Sequence, residues 1–324
     1  MLERAIAVAN GKGGVGKSSI VANMATIAAQ SEWTVLVVDL DPQGNVGSDL
    51  GYRQRGDSDD GAGLSKAVQF GTPLEPVRAV REHLDAVPAG RHTRSLAGIL
   101  LQEMRNNTAD THQALTRVLE PLAGQYDLII FDCPPGDTVL GDMALSASKG
   151  LVVPVKFDGG SLDGLELMAR RFAEIKGGGV NPNLELLGIV LFDFNLQATA
   201  MRSQVLEELA AAFGEDAPVF DTAIRHSQRA AFDMRRDGLT AVEYEQHADE
   251  DRLQRLALLR RGVDHLRRAG PAKSQSAHGL ADDYVALTHA ILDSLGAITP
   301  ESTDSGAERN AASDNTTSTE EVVV

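Results

Sequence analysis

A single cysteine, Cys133, stands in 324 residues. It permits no intramolecular disulfide and no cysteine-rich zinc site, and the eight histidines show no metal-ligand spacing. Basic residues are also short, 30 Lys+Arg against 46 Asp+Glu, a formal charge of −16 that excludes a general polyanion binder. No apolar run reaches the ~18–20 residues of a bilayer span; the longest candidates, Leu128–Phe131 and Leu151–Val155, have strand length. The first twenty residues lack the basic, apolar and cleavage regions of a signal peptide, so a reducing compartment, most simply the cytoplasm, is expected. What is present, 43% hydrophobic and 23% charged residues, is the composition of an ordinary globular chain long enough for a full core.

Short apolar, β-branched runs recur at Ala5–Ala9, Val35–Val38, Leu128–Phe131, Leu151–Val155 and Leu186–Leu191. Helix-spaced apolar positions lie between them at Ser18–Ala29, Leu115–Leu122, Leu162–Ile175 and Arg202–Phe213. Alternation of this kind predicts an α/β fold with a mostly parallel sheet covered on both faces and right-handed crossovers. Gly56–Gly63 (GDSDDGAG) carries no large apolar residue and reads as an exposed loop that caps the helix after it. Past Tyr244 a charged helical block, Asp251–Arg268, sets Leu253, Leu256, Leu259, Val263 and Leu266 on one stripe with arginines elsewhere, and a last helix is expected over Asp282–Leu295. Pro300–Val324 is built from Ser, Thr, Asn, Asp and Glu and is expected to be disordered. No internal repeat is found.

The chemistry is concentrated in three motifs. Directly after the first predicted strand comes Gly11-Lys12-Gly13-Gly14-Val15-Gly16-Lys17-Ser18-Ser19, a G-x-x-x-x-G-K-S pattern in its strand-loop-helix context. Glycines let backbone N–H groups close around phosphate oxygens, and the following helix adds its positive end. Lys17 is expected to reach the β and γ phosphates, and the Ser18 hydroxyl to ligate Mg²⁺. The second motif, Val35–Asn45, is a strand ending in two carboxylates, Asp39 and Asp41, where open α/β sheets bind ligands. A carboxylate there can orient an attacking water or a Mg²⁺-bound one; for Asp39 a metal-linked role and a strand-end carboxylate held by loop amides are equal readings. The third, Tyr126–Gly136, is an apolar strand ending in Asp132, suited to the Mg²⁺ shell. Cys133 has no base placed beside it and reads as a small buried residue.

These motifs carry a resemblance. KGGVGKS resembles the deviant Walker A motif of the ParA/MinD family of P-loop ATPases, VDLDPQGN resembles its VDxDPQGN, and YDLIIFDCPP its YDxIIxDxPP. Leu151–Val155 with Gly159–Met168 resembles the family's PV…LEGL stretch, so the likeness covers roughly residues 3–245. It implies a single-domain P-loop fold that forms an ATP-dependent sandwich dimer, with ATP and Mg²⁺ as cofactors. By the resemblance Gly11–Ser19 bind the nucleotide, Lys12 reaches the partner's nucleotide across the dimer, Asp41 activates water, and Ser18 and Asp132 serve the metal, with Asp39 as a further candidate ligand. It implies slow, partner-stimulated ATP hydrolysis, a ParB-like partner, and cytoplasmic, nucleoid-associated DNA partition of plasmid or chromosome.

The chain also departs from the family. The I-P-R-N-x-R segment reads Ile224-Arg225-His226-Ser227-Gln228-Arg229, and Phe192–Gln197 replaces a short Asp/Arg/Thr loop. The family's arginines at that segment bind DNA without sequence preference, so Arg202, Arg225, Arg229, Arg235 and Arg236 are the candidates here; pairing with Asp233, Asp237 and nearby glutamates is the alternative. The expected division is a core over 1–245, an Arg-rich helical insertion over 246–278 that faces DNA, a partner or solvent, a C-terminal core helix over 279–296, and an acidic tail over 297–324. With the phosphate loop about ten residues from Met1, no N-terminal helix-turn-helix is expected before it, and with an acidic C-terminus no MinD-type membrane helix is expected. Two other functions stay open: a nucleotide-dependent scaffold that positions a protein complex without DNA, and a metabolic P-loop ligase, which the DPQGN segment disfavours.

Overall fold

The computed structural model describes residues 1–105, 108–136, 138–156, 161–194, 199–261 and 279–299. Eight strands form one sheet: β1 Ala5–Val8, β2 Val35–Asp39, β3 Val77–Arg81, β4 Leu84–Val87, β5 Leu128–Asp132, β6 Gly150–Val155, β7 Glu185–Phe194 and β8 Ile224–Arg225. Their order is β3-β4-β2-β5-β1-β6-β7-β8, and every pairing is parallel except β3 with β4. This is the expected α/β architecture of a P-loop fold.

The central strands are apolar and buried at every position because helices cover both faces. Strand alternation deals their side chains into two cores. Ala5, Ala7, Leu36, Val38, Ile129 and Phe131 face one, packed by α3 Ala62–Phe70, α4 Arg91–Met104, α5 Thr108–Ala123, α6 Thr138–Ala147, α7 Ser161–Gly177 and α8 Thr199–Phe213. Ile6, Val8, Val35, Val37, Leu128 and Ile130 face the other, under α1 Lys17–Gln30, α2 Asn45–Asp49, α9 Gln228–Asp237, α10 Ala241–Arg261 and α11 Leu280–Ile298. Helix α1 is buried over most of its surface, which is why Ile20–Ala29 reads as apolar nearly all round.

The β3–β4 hairpin was not expected. Its outer strand reads VRAVR, with an exposed Arg78, a partly buried Arg81 paired to Glu243 and a left-handed Ala79 at φ 52°, so it carries neither a continuous apolar run nor clean alternation. The loop before α3 behaves as expected: Asp59 accepts from the backbone N–H of Gly61 at 2.8 Å and of Gly63 at 2.6 Å. The charged block does not start a separate helix. Helix α10 runs unbroken through residue 245 to Arg261, anchored by the fully buried Tyr244, and Leu253 of the expected stripe is 67% exposed rather than packed. Residues 262–278 of the insertion and 300–324 of the tail lie outside the described residues, while 297 and 298 belong to α11.

Candidate functional site

Parallel register sets the site. Val8 at the end of β1 pairs with Asp132 of β5, and Asp132 pairs with Asp39 of β2, so the three motifs leave the sheet at one level on its carboxyl edge. The loop from Asn10 then wraps back to α1 with Gly14 and Gly16 at φ 76° and 89°, conformations open to glycine at little cost. Gly16 has a second constraint: a Cβ there would collide with the ring of Phe192 at the end of β7.

Lys17 is buried and folded onto its own loop, donating to the carbonyl oxygens of Lys12 at 2.8 Å and Asn10 at 3.3 Å. Burial lowers its pKa, opposed by the nearby Asp132, Cys133 and Asp41. The Ser18 hydroxyl donates to Asp132 Oδ2 at 2.6 Å. Asp39 Oδ1 accepts from the Asp41 N–H at 2.9 Å, the loop-amide role weighed from sequence, and Asp41 Oδ1 accepts from the Gln43 N–H at 2.9 Å.

The two fully buried strand-end carboxylates are short of positive charge. Asp39 Oδ2 and Asp132 Oδ1 are buried with no hydrogen-bond partner among the described residues. Burial drives the Asp132 pKa up to about 7 against the Ser18 hydrogen bond, and burial with the neighbouring Asp132 drives Asp39 well above the carboxylate range. Paired, dehydrated carboxyls beside a serine hydroxyl fit a hard divalent cation. Among the described residues no group of three or more His, Cys, Asp or Glu is placed to hold a metal alone, which suits Mg²⁺, bound through one or two carboxylates plus phosphates.

A cleft of about 650 Å³ opens from this edge, running from the phosphate loop and Asp41 past Phe192 to His226, Phe232 and Tyr284. Cys133 lies behind it, buried, its thiol pushed up by burial.

A family profile described as an AAA domain matches residues 3–186. The chain is 37% identical over 229 residues to the chromosome-partitioning ATPase Soj of Thermus thermophilus, spanning 70% of this chain and 83% of that one. It is 34% identical over 228 residues to the chromosome partitioning protein ParA of Myxococcus xanthus, 70% of this chain and 76% of the relative. The chain belongs to the ParA/MinD family of P-loop ATPases. A cobyrinic acid a,c-diamide synthase of Mycobacterium smegmatis, solved with an ATP analogue and magnesium, superposes with a TM-score of 0.60 at 28% identity, over 72% of this chain and 91% of that one.

The candidate DNA arginines are less uniform than the phosphate loop. Arg229, Arg235 and Arg236 share α9, with Arg225 just before it, whereas Arg202 belongs to α8, whose Val205 and Leu209 feed the opposite core. Arg225 grips Asp283 through Nε at 2.6 Å and Nη2 at 2.7 Å. Arg229 Nε donates to Asp233 at 3.1 Å, and Arg236 meets both Asp233 and Asp237. Arg235 forks onto Asp49. The pairings with Asp233 and Asp237 match the alternative drawn from sequence; those with Asp49 and Asp283 were not foreseen.

Two asparagines were missed. Asn10 donates to the Pro154 carbonyl at 2.8 Å and accepts from the Lys12 N–H at 2.9 Å, tying the loop to β6. Asn23 donates to the Ser19 carbonyl at 2.7 Å and accepts from the Ala241 N–H at 2.7 Å, tying α1 to α10. Their signal is a lone amide side chain inside an otherwise apolar run.

Proposed function

We propose that this chain binds ATP with Mg²⁺, closes into a dimer around the nucleotide, holds double-stranded DNA without sequence preference in that state, and drives partition of a plasmid or chromosome. The observation that supports this most is the convergence at one sheet edge of the glycine loop, the Ser18–Asp132 pair and Asp41, with a second lysine, Lys12, in the same loop. In this reading loop N–H groups and the start of α1 take the phosphate oxygens, and Lys17 exchanges the carbonyls of Asn10 and Lys12 for the β and γ phosphates. Ser18 and Asp132, backed by Asp39, hold Mg²⁺, which when bound neutralises charge on the phosphate oxygens. Asp41 orients the attacking water, and Lys12 reaches the partner's nucleotide. Hydrolysis is slow alone, because transition-state charge lacks a compensating group of the kind worth roughly 10³–10⁵ in rate, and a ParB-like partner stimulates it.

A second reading is favoured by the aspartate pairing of the α9 arginines: a nucleotide-dependent scaffold that positions a protein complex and does not touch DNA. Retention of a random DNA duplex with ATP, ADP or no nucleotide separates the two. Retention only with ATP, weakened by salt and lost in Lys12→Ala, is expected for partition; ATP binding with no retention at any salt would leave the scaffold.

A further inference from the structure

Asp49 closes α2, the short helix that leaves the loop after Asp41. A carboxylate in the last turn faces the negative end of its helix, and this one is only 8% exposed, so desolvation adds to the cost. It is compensated from two sides. Arg235 of α9 donates from Nε to Oδ1 at 2.7 Å and from Nη2 to Oδ2 at 3.2 Å, and Ser19 Oγ in the first turn of α1 donates to Oδ2 at 3.5 Å. Ser19 is the immediate neighbour of Ser18, whose hydroxyl is on Asp132.

The junction between α2 and α9 is braced around this pair. Gln54 Nε2 donates to the carbonyls of Ser48 at 2.9 Å and Arg235 at 3.4 Å, and Arg81 to those of Leu50 at 2.8 Å and Gly238 at 3.0 Å. Gly51 and Gly238 approach so closely that a Cβ on Gly238 would lie 2.7 Å from the Gly51 Cα. The Arg235 side chain is 48% exposed, so the ion pair adds little to stability; its fork geometry is what matters.

We propose that Asp49 and Arg235 form a strut that ties α9 to the phosphate loop, so that what the loop holds sets the placement of α9 and of its outward arginines. Both are positioning residues. The inference rests on the reading that the loop binds ATP, and it removes Arg235 from the candidate DNA contacts, because Asp49 occupies its fork.

Hydrogen exchange of the full chain, with and without a non-hydrolysable ATP analogue and Mg²⁺, tests it. In the wild type the analogue slows exchange in peptides covering the phosphate loop and in those covering α9. In Asp49→Asn and in Arg235→Ala the loop response persists and the α9 response falls at least about threefold, with Arg235→Lys in between. An α9 response unchanged in both variants overturns the strut, as does a wild type whose loop responds and whose α9 does not. A silent loop in the wild type overturns the strut together with the nucleotide reading, and is recognised by that silence. A DNA arm adds a difference of sign. Asp49→Asn removes a negative charge and frees Arg235, so simple electrostatics strengthens DNA retention, whereas the strut weakens its ATP-dependent part; stronger retention overturns the inference.

Discussion

On the sheet side of the cleft, Asp39 and Asp132 are fully buried, and each keeps one oxygen without a hydrogen-bond partner among the described residues. On the α9 side, Arg229, Arg235 and Arg236 each have an aspartate. The first wall holds buried carboxyls whose charged forms burial disfavours, and a cation bound beside them would favour ionisation. The second wall is already neutralised, and its arginines serve any anion only by sharing or leaving their partners. Buried unpaired carboxyls are costly and signal a ligand; exposed paired arginines are cheap and signal one weakly.

The sharpest break falls on the first wall. Lys17→Ala and Asp41→Ala are expected to lower ATP hydrolysis by about 10²–10³-fold or more, measured as basal phosphate release. They should differ in binding: a fluorescent ATP analogue is retained by Asp41→Ala and weakened in Lys17→Ala, which loses the phosphate contact itself. Equal loss of binding in both would mean that Asp41 holds the loop rather than the water.

Gly16→Ala probes the same wall through its backbone. A side chain at φ 89° costs of order 1–2 kcal/mol, and the Phe192 ring must also move. The expected result is a melting temperature lower by about 3–8 °C with weakened nucleotide binding; a variant as stable as the wild type would show that Phe192 yields freely. Asp132→Asn should act in the opposite direction on stability. Removing a dehydrated carboxylate is expected to raise the melting temperature without Mg²⁺ and nucleotide by about 2–4 °C while hydrolysis is lost, the trade expected where a site is held ready for a cation. Lowered stability would mean that the Ser18–Asp132 bond outweighs the desolvation.

Much of this contrast was legible in the sequence because a phosphate cradle constrains backbone geometry, and only glycines at fixed spacing before a lysine and serine satisfy it. The central strands were legible for a related reason, burial on both faces, which leaves no polar position in Leu128–Phe131. The hairpin of β3 and β4 was not, since an edge strand tolerates Arg78 and Arg81. Nor was the α9 wall: Arg235 and Asp49 are 186 residues apart, and nothing in a run such as DMRRDG states which arginine turns inward. Arginine spacing names candidates; the partner carboxylate decides the role.

The smallest effect divides the remaining candidates. Arg225 is 37% exposed and gives three hydrogen bonds to Asp283, an 8% exposed residue in the first turn of α11, while Arg229 is 67% exposed and gives a single bond to Asp233. Truncating Arg225 removes the two guanidinium bonds and leaves the nearly buried carboxylate the Arg225 backbone N–H, so Arg225→Ala is expected to cost about 1–3 kcal/mol in urea unfolding. Arg229→Ala should leave stability within about 0.5 kcal/mol. If the outer arginine reaches phosphate in the ATP state, its loss lowers the slope of log affinity against log salt by about 1, uniformly over DNA sequences. A slope unchanged in Arg229→Ala and reduced in Arg225→Ala would reverse the assignment, making Arg225 of β8 the residue that trades its aspartate on α11 for DNA.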